Sequence, residues 1–541
     1  MSKNVATVRD TLLHLDAMEK IERRRALHDY IFYKGKCINR NLAKGDKIWL
    51  GQSWETNDQL DYKPTQDIRN KIKQLMKKQA RFMFSVPPDI VIKPDDLNQA
   101  EETEGLRQYL EDILDTNLFW KTTKKAFLMA TIKKRVLVRI ELNEGSIPLL
   151  KYENIENFSY KVQNNKLIEV TFFAEADANA LYDTVDGSEA VDENKKVYYL
   201  YKYSYKIDAE GHMLPQVLLT TEVYTNGEFS VPFKIATAAT GFSIIPCWLI
   251  VNGGELNNAF GESDLEDLID LQNAYNRKNS DFADALRFQM FGSTVVVDGY
   301  EKDVNKFQIR PNALQAVRTD PKAADKGRQA SVNKQEYSMG NSGAVESYLN
   351  RLDKDMRDLL DMPSITDLSN VPSAKALRYM YIDLIARCEE KWADWEPIFK
   401  AMLNFIIEAS AAMRLPGFDN NWLNLKYSLY FKHNYPLPDD DDLIKQTAMQ
   451  EVQTGVRSTK SYLKEISKEE DANAEFMEIL AEKALMANAE SGGNLPELDD
   501  EGNIINPEDL FNTTTTTVAP IEPGSATTTT TTLNGTGGNA E

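Results

Sequence analysis

The stretch from Gly261 to Phe291 constrains the fold more than any other. Gly261-Glu262-Ser263-Asp264-Leu265-Glu266 reads as a helix opening, with Ser263 and Glu266 three apart as a capping box. Glu262, Asp264, Glu266, Asp267 and Asp270 place negative charge at the positive end of the helix dipole. No proline follows before Phe291. The pattern predicts one unbroken helix of roughly 28 residues, about 42 Å at 1.5 Å per residue. Few globular helices are that long. A second helix is predicted over 344–361 and is stopped by Met362-Pro363. A connector bounded by Pro363 and Pro372 follows. Ser373 then caps a very long helix that ends at Leu415-Pro416-Gly417, with a kink expected near Ala393 to Pro397.

The N-terminal third reads as helices over 7–33, 65–84, 97–117 and 121–133. In the second of these, Ile68, Ile72, Leu75, Met76 and Gln79 keep the helical period, and Ser85 to Asp89 ends it. The period then changes to strand-like alternation over 135–142, 167–175, 196–207 and 217–225, with hairpin turns at 208–212 and 225–228. The apolar run Phe242 to Val251 contains Pro246 and reads as a buried strand. A strand is also predicted over 293–299 and another over 425–434. Tyr435 to Asp442 breaks the latter and caps a helix that ends near Gly455, and two short helices reach Glu490. Residues 491–541 are acidic and then Thr-rich, a composition that cannot bury enough apolar surface to order itself. The fold class expected is α+β, predominantly helical.

At 541 residues the chain exceeds one core, so two to four sub-domains are expected. The net charge is −20, of which the last 51 residues hold eight acids and no base. A protein that grips DNA through its phosphates is usually basic, because counterion release supplies the affinity. The acidity therefore argues against a tight DNA binder, though not against a protein that DNA slides past. Cys37, Cys247 and Cys388 show no CxxC pairing, which suits a reduced intracellular chain. The first ten residues lack the apolar core of a signal peptide, and no run of eighteen apolar residues suggests a membrane span.

Catalytic signatures are missing. No GxxxxGK[ST] cradle occurs, so the chain is not an ATP-driven motor, and no HExxH or GxSxG is found. His14, His28, His212 and His433 are scattered and read as surface or packing residues rather than metal ligands. Asp439 to Asp442 reads as solvated charge at a helix N-terminus. Trp392, Trp395 and Phe399, three and four apart, read as core. The expectation is no enzyme, no cofactor and no metal.

The order of these features resembles the portal proteins of long-tailed bacteriophages. The resemblance rests on Ile245-Pro246, then Gly261-Glu262-Ser263-Asp264, then Leu271 to Asn276, Ser280-Asp281, and a strand that closes on Gly299. Further elements agree: Tyr33 to Arg40, Asp361 to Tyr381, Leu425 to Asp439 and, loosely, Thr454 to Leu463. Ser373-Ala374 stands where Ser-Gly is usual, a mild departure because Ala is a good helix former. The resemblance covers roughly residues 30 to 480.

What the resemblance implies is a dodecameric ring around a DNA channel at one capsid vertex. Residues 1–260 would form the wing, 261–291 and 344–362 the stem, 292–343 the clip, and 363–372 the tunnel loop. Residues 373–437 would complete the wing, 438–490 the crown, and 491–541 a disordered tail. The implied partners are terminase large subunit, head–tail adaptor, major capsid and scaffolding proteins, and double-stranded DNA without sequence preference. The implied location is the virion, after assembly in the host cytoplasm, with no membrane. Seven stem acids, Glu262, Asp264, Glu266, Asp267, Asp270, Asp281 and Asp284, would repel phosphates across the lumen within a Debye length of about 8 Å. The connector residues Pro363, Ser364, Ile365, Thr366, Asp367, Leu368, Ser369, Asn370 and Val371 would touch DNA without holding it. The alternative is another virion assembly protein, an adaptor or scaffold-associated component with no DNA channel.

Overall fold

The computed structural model describes residues 5–35, 65, 67–163, 166–176, 197–208, 210, 212–225, 231–254, 258–291, 293–304, 317–335, 340, 342–363, 374–437, 441–463, 475–480, 483 and 486. The chain divides into two units, Met1–Pro438 and Asp439–Glu541.

The first unit is organised around one long helix. Leu384, Cys388, Trp392, Trp395, Phe399, Met402, Leu403 and Ile406 recur three and four apart, so one stripe is apolar and must be covered. That stripe forms α9 (Ile382–Ala412). Against it pack α3 (Lys71–Phe84), α4 (Ala100–Thr116) and α5 (Phe119–Lys133), giving one core. Phe84 lies edge-on to Trp395 at 5.8 Å, a favoured aromatic geometry. His433 stacks flat on Trp392 at 4.6 Å, and its Nε2 bonds the Met83 carbonyl at 2.7 Å. Burial lowers the His433 pKa, so the ring is a neutral packing group.

Among the described residues, two helices precede α3: α1 (Val5–Leu12) and α2 (Ala17–Lys34). A single helix over 7–33 was expected. The break comes at His14, whose φ of +48° is left-handed, and Asp16 then caps α2 by accepting from the Glu19 N–H at 2.6 Å. Buried ion pairs fasten α2 to the sheet that follows. Arg135, 1% exposed, pairs with Glu19 at 3.2 Å, and Lys134 with Glu22 at 3.2 Å.

Among the described residues, the β region forms two antiparallel sheets. One has the order β3-β2-β9, formed by β2 (Arg135–Glu141), β3 (Leu149–Asn154) and β9 (Cys247–Val251). The other runs β4-β5-β6-β7-β8 from β4 (Phe158–Gln163), β5 (Lys166–Ala176), β6 (Val197–Ile207), β7 (Met213–Thr225) and β8 (Lys234–Ala239). A separate pair joins β1 (Asp89–Pro94) to β12 (Tyr427–Lys432) across the chain.

After β9 comes α6 (Leu268–Phe291), then the antiparallel ribbon of β10 (Ser293–Val297) and β11 (Ser331–Gln335), then α7 (Ser342–Asp358). Short helical turns at Glu301–Val304 and Pro321–Ala324 lie between the ribbon strands. The helices α6 and α7 pack on each other and contribute Leu268, Tyr275, Leu349, Leu352 and Met356 to the main core. After the connector come α8 (Ala374–Met380) and α9, separated at Tyr381. The helix α9 runs without a break through Pro397, with Trp392 and Trp395 buried before it and Phe399 buried after it.

In the second unit α10 (Asp441–Gln453) begins within the Asp439 to Asp442 run, and a short turn of helix follows at Thr459–Tyr462. No described helix is long and apolar enough to cross a membrane. The Thr-rich tail lies outside the described residues, as does Cys37. Cys247 and Cys388 are free and buried, and burial pushes the Cys388 thiol up to about 12.

Candidate functional site

The expected opening of the long helix at Gly261 is instead a junction. The regular helix begins at Leu268. Ser263 does not complete a capping box with Glu266. Its Oγ donates to the Ile132 carbonyl at 2.9 Å and accepts from the Leu265 N–H at 3.3 Å. The Glu266 N–H goes to the Ser263 backbone carbonyl. The Gly-Glu-Ser-Asp stretch is thus spent on fastening the helix root to the end of α5.

Gly261 makes that approach possible. Its φ is +72°, and a Cβ there would lie 2.6 Å from Val251 Cγ1 and 3.0 Å from the Asn252 and Lys134 carbonyl oxygens. Those carbonyls are engaged: Asn252 accepts from the Glu262 N–H at 3.0 Å, and Lys134 from the Asn252 N–H at 2.8 Å.

Asp264 is the hub of the junction. Its side chain is 6% exposed. Oδ1 accepts from Lys391 Nζ and Asn252 Nδ2, both at 2.9 Å, and Oδ2 accepts from Gln79 Nε2 at 2.9 Å. Arg387 approaches Oδ2 at 3.4 Å. Burial by itself would raise the Asp264 pKa. Lys391, Arg387 and the Asn252 bond outweigh it, and the pKa lies below the usual range. Arg387 also reaches Asp361 at 3.2 Å and the Leu359 carbonyl at 3.3 Å. One guanidinium therefore joins the root of α6, the end of α7 and the body of α9.

The chain leaves this junction toward the connector. Leu360 and Met362 are buried, and Asp361 between them has a φ of +54°, a left-handed turn that Asp tolerates better than most residues. Pro363 lines a small cleft with Lys78, Arg81, Phe82, Arg357 and Tyr381. Ser364, Ile365, Thr366, Asp367, Leu368, Ser369, Asn370 and Val371 lie outside the described residues. Where the chain returns, Tyr381 stacks on Phe82 at 5.4 Å.

The seven stem acids do not form one surface. Asp264 is internal, and so is Asp284, which accepts from the Thr65 N–H at 2.9 Å. Neither can line a lumen, because each is consumed by a partner inside the subunit. Glu262, Glu266, Asp267, Asp270 and Asp281 are exposed, and Asp281 faces Lys278 at 3.4 Å.

Asp284 belongs to a ladder the sequence did not disclose. Gln272, Asn276, Ser280 and Asp284, four apart on α6, are all buried. Their oxygens accept the N–H groups of Lys71, Arg69, Asp67 and Thr65. A helix rises about 6 Å in four residues, and an extended chain advances about 6.6 Å in two, so the two spacings match. This is why the helix predicted over 65–84 starts only at Lys71, capped by Asn70. The missed hub residues left some trace. Gln79 is a polar residue on an apolar helical stripe, and Lys391 sits between Cys388 and Trp395 on another.

A family model described as phage portal protein, SPP1 Gp6-like, matches residues 13–488. No curated protein matches the chain. Among solved structures, a chain of the virion of native gene transfer agent (GTA) particle is similar at 10% identity. The match covers 75% of this chain and 95% of that one, with a TM-score of 0.36.

Proposed function

The chain belongs to the SPP1 Gp6-like family of phage portal proteins, and from that premise we propose that identical copies close into a dodecameric ring through which DNA is packaged and ejected. The ring sits at one capsid vertex, docks the terminase during packaging and the head–tail adaptor afterwards, and carries no motor of its own. In this reading α6 and α7 are the stem, the β10–β11 ribbon the clip, and residues 363–372 the loop that touches DNA.

The observation that carries the reading is the Asp264–Arg387–Asp361 junction. It ties both long helices to α9 at the point where the connector leaves, so the connector is presented from a fixed root. A loop that must meet a moving duplex needs such a root, because a loose one would transmit no register from subunit to subunit.

The connector from Pro363 to Val371 contains one charge, Asp367. Asp367→Lys places a cation in every copy of the loop, and phosphate neutralisation then releases counterions and holds the duplex. The expected outcome is slowed or stalled translocation in a single-molecule packaging assay, relieved as salt is raised. A packaging rate equal to the parent's at low salt would contradict the assignment of this segment to DNA.

A further inference from the structure

Within a chain of net charge −20, α3 carries five basic residues and no acid. Lys71 is used inside the subunit, paired with Asp353 at 3.0 Å. Lys77, Lys78 and Arg81 are exposed and Lys73 is half-buried; Lys78 feels the charge of Asp353 on α7, whereas Lys73, Lys77 and Arg81 form no ion pair with another described residue. Lys73, Lys77 and Arg81 are four apart, so they make one stripe along the helix.

The opposite charge lies at the root of α6. Glu266, Asp267 and Asp270 are exposed, and no Lys or Arg occurs between Gly253 and Asn276. The exposed face changes character further along, where Arg277, Lys278 and Arg287 surround Asp281. The acidic cluster is therefore local to the root.

The two patches cannot meet within one subunit. The helices touch through Gln272, whose Oε1 accepts the Lys71 N–H at 2.9 Å and the Ile72 N–H at 3.2 Å, and through Gln79, which bonds Asp264. At about 100° per residue, Asp270 lies roughly 160° around α6 from Gln272, and Lys77 and Arg81 each lie about 160° around α3 from Gln79, the side chain that reaches Asp264. Each patch sits on the side of its helix that faces away from the other helix. Two complementary, oppositely directed patches are what a heterologous head-to-tail contact requires, and such contacts close into rings.

We propose that the basic stripe of α3 docks on the acidic root of α6 in the next copy of this chain. The inference rests on the ring reading above and deepens it by naming the surface that sets subunit order. It also assigns Glu266, Asp267 and Asp270 to assembly rather than to the lumen.

The test uses full-length chain and native mass spectrometry with light scattering over a concentration series. The variants are Lys77→Glu/Arg81→Glu, Glu266→Lys/Asp270→Lys, and the four-fold combination. Each pair alone is expected to weaken association at least about tenfold, an effect of about 1.4 kcal/mol, and the combination is expected to restore it. The neutral pair Lys77→Gln/Arg81→Gln should weaken it less, which separates lost attraction from misfolding. Parent rings with unchanged assembly in both reversed variants would overturn the inference alone. So would a stem reversal that spares assembly but retains duplex DNA, which would place the acids in the lumen. So would an α3 reversal that spares assembly but abolishes binding of a 30-base-pair duplex. A parent that stays monomeric at every concentration would bring down the ring reading itself, and this inference with it.

Discussion

Replacing Gly261 with valine is expected to leave little soluble, folded subunit. Two costs add. A left-handed backbone costs a residue with a Cβ roughly 1–2 kcal/mol, and more when the side chain is β-branched. Forcing atoms into a filled site costs roughly another 1–3 kcal/mol. The site cannot yield cheaply. Two of the three nearest atoms are backbone carbonyl oxygens already holding the Glu262 and Asn252 N–H groups. Gly261→Ala should show the same effect in milder form, as a thermal transition several degrees lower. The measurement is soluble yield and melting temperature of the two variants beside the parent. A valine variant that melts with the parent would show that the junction has slack.

Removing the carboxylate of Asp264 is the second large effect. In Asp264→Ala the ammonium of Lys391 stays buried, and among the described residues Asn252 Oδ1, at 2.8 Å, is the acceptor left to it. Breaking a buried pair by deleting one partner typically costs about 3–5 kcal/mol, because the remaining charge is uncompensated. Asp264→Ala/Lys391→Met should recover most of that loss, since the stranded charge goes too. Denaturant melts of the single and double variants measure the difference, and a double variant as unstable as the single one would contradict the account.

The pH dependence has a definite sign. The folded pKa of Asp264 is depressed, so its contribution is present above the unfolded carboxylate range and is lost as pH falls through the folded value. The penalty of Asp264→Ala should therefore shrink in acid. Asp29 on α2 behaves oppositely, because burial raises its pKa to about 6. Its protonated form suits the fold, and stability from it declines as pH rises from about 4 to about 6.

The parts of the fold that were legible in the sequence are those set by local periodicity. The apolar stripe of Trp392, Trp395 and Phe399 specified a buried helix whatever packed against it. The alternation in β5 and β6 specified strands in the same way, whereas the pairing of α6 with α7 across residues 292–343 was implied only by the family resemblance. Long-range partners were not legible. Ile68 keeps the helical period, yet it lies before the helix, because side chains some 200 residues later capture the N–H groups of Thr65, Asp67 and Arg69. Asp264 and Asp284 stand in an acid-rich stretch and look solvated until Lys391 and the Thr65 N–H are brought to them. The strand β1 follows Pro87-Pro88, and its partner β12 lies more than 330 residues away. In the site, the charge count was legible and its distribution was not. Two acids fasten the subunit together, four lie exposed at the root of α6, and beyond them Arg277, Lys278 and Arg287 surround Asp281.

In the proposed assembly, copies of this chain enclose a channel. Electron microscopy of the purified full-length protein, with class averages viewed down the particle axis, tests it most directly. Closed rings of identical subunits around a central hole are expected. Isolated protomers or compact dimers with no hole, at concentrations where the protein is folded, would contradict it.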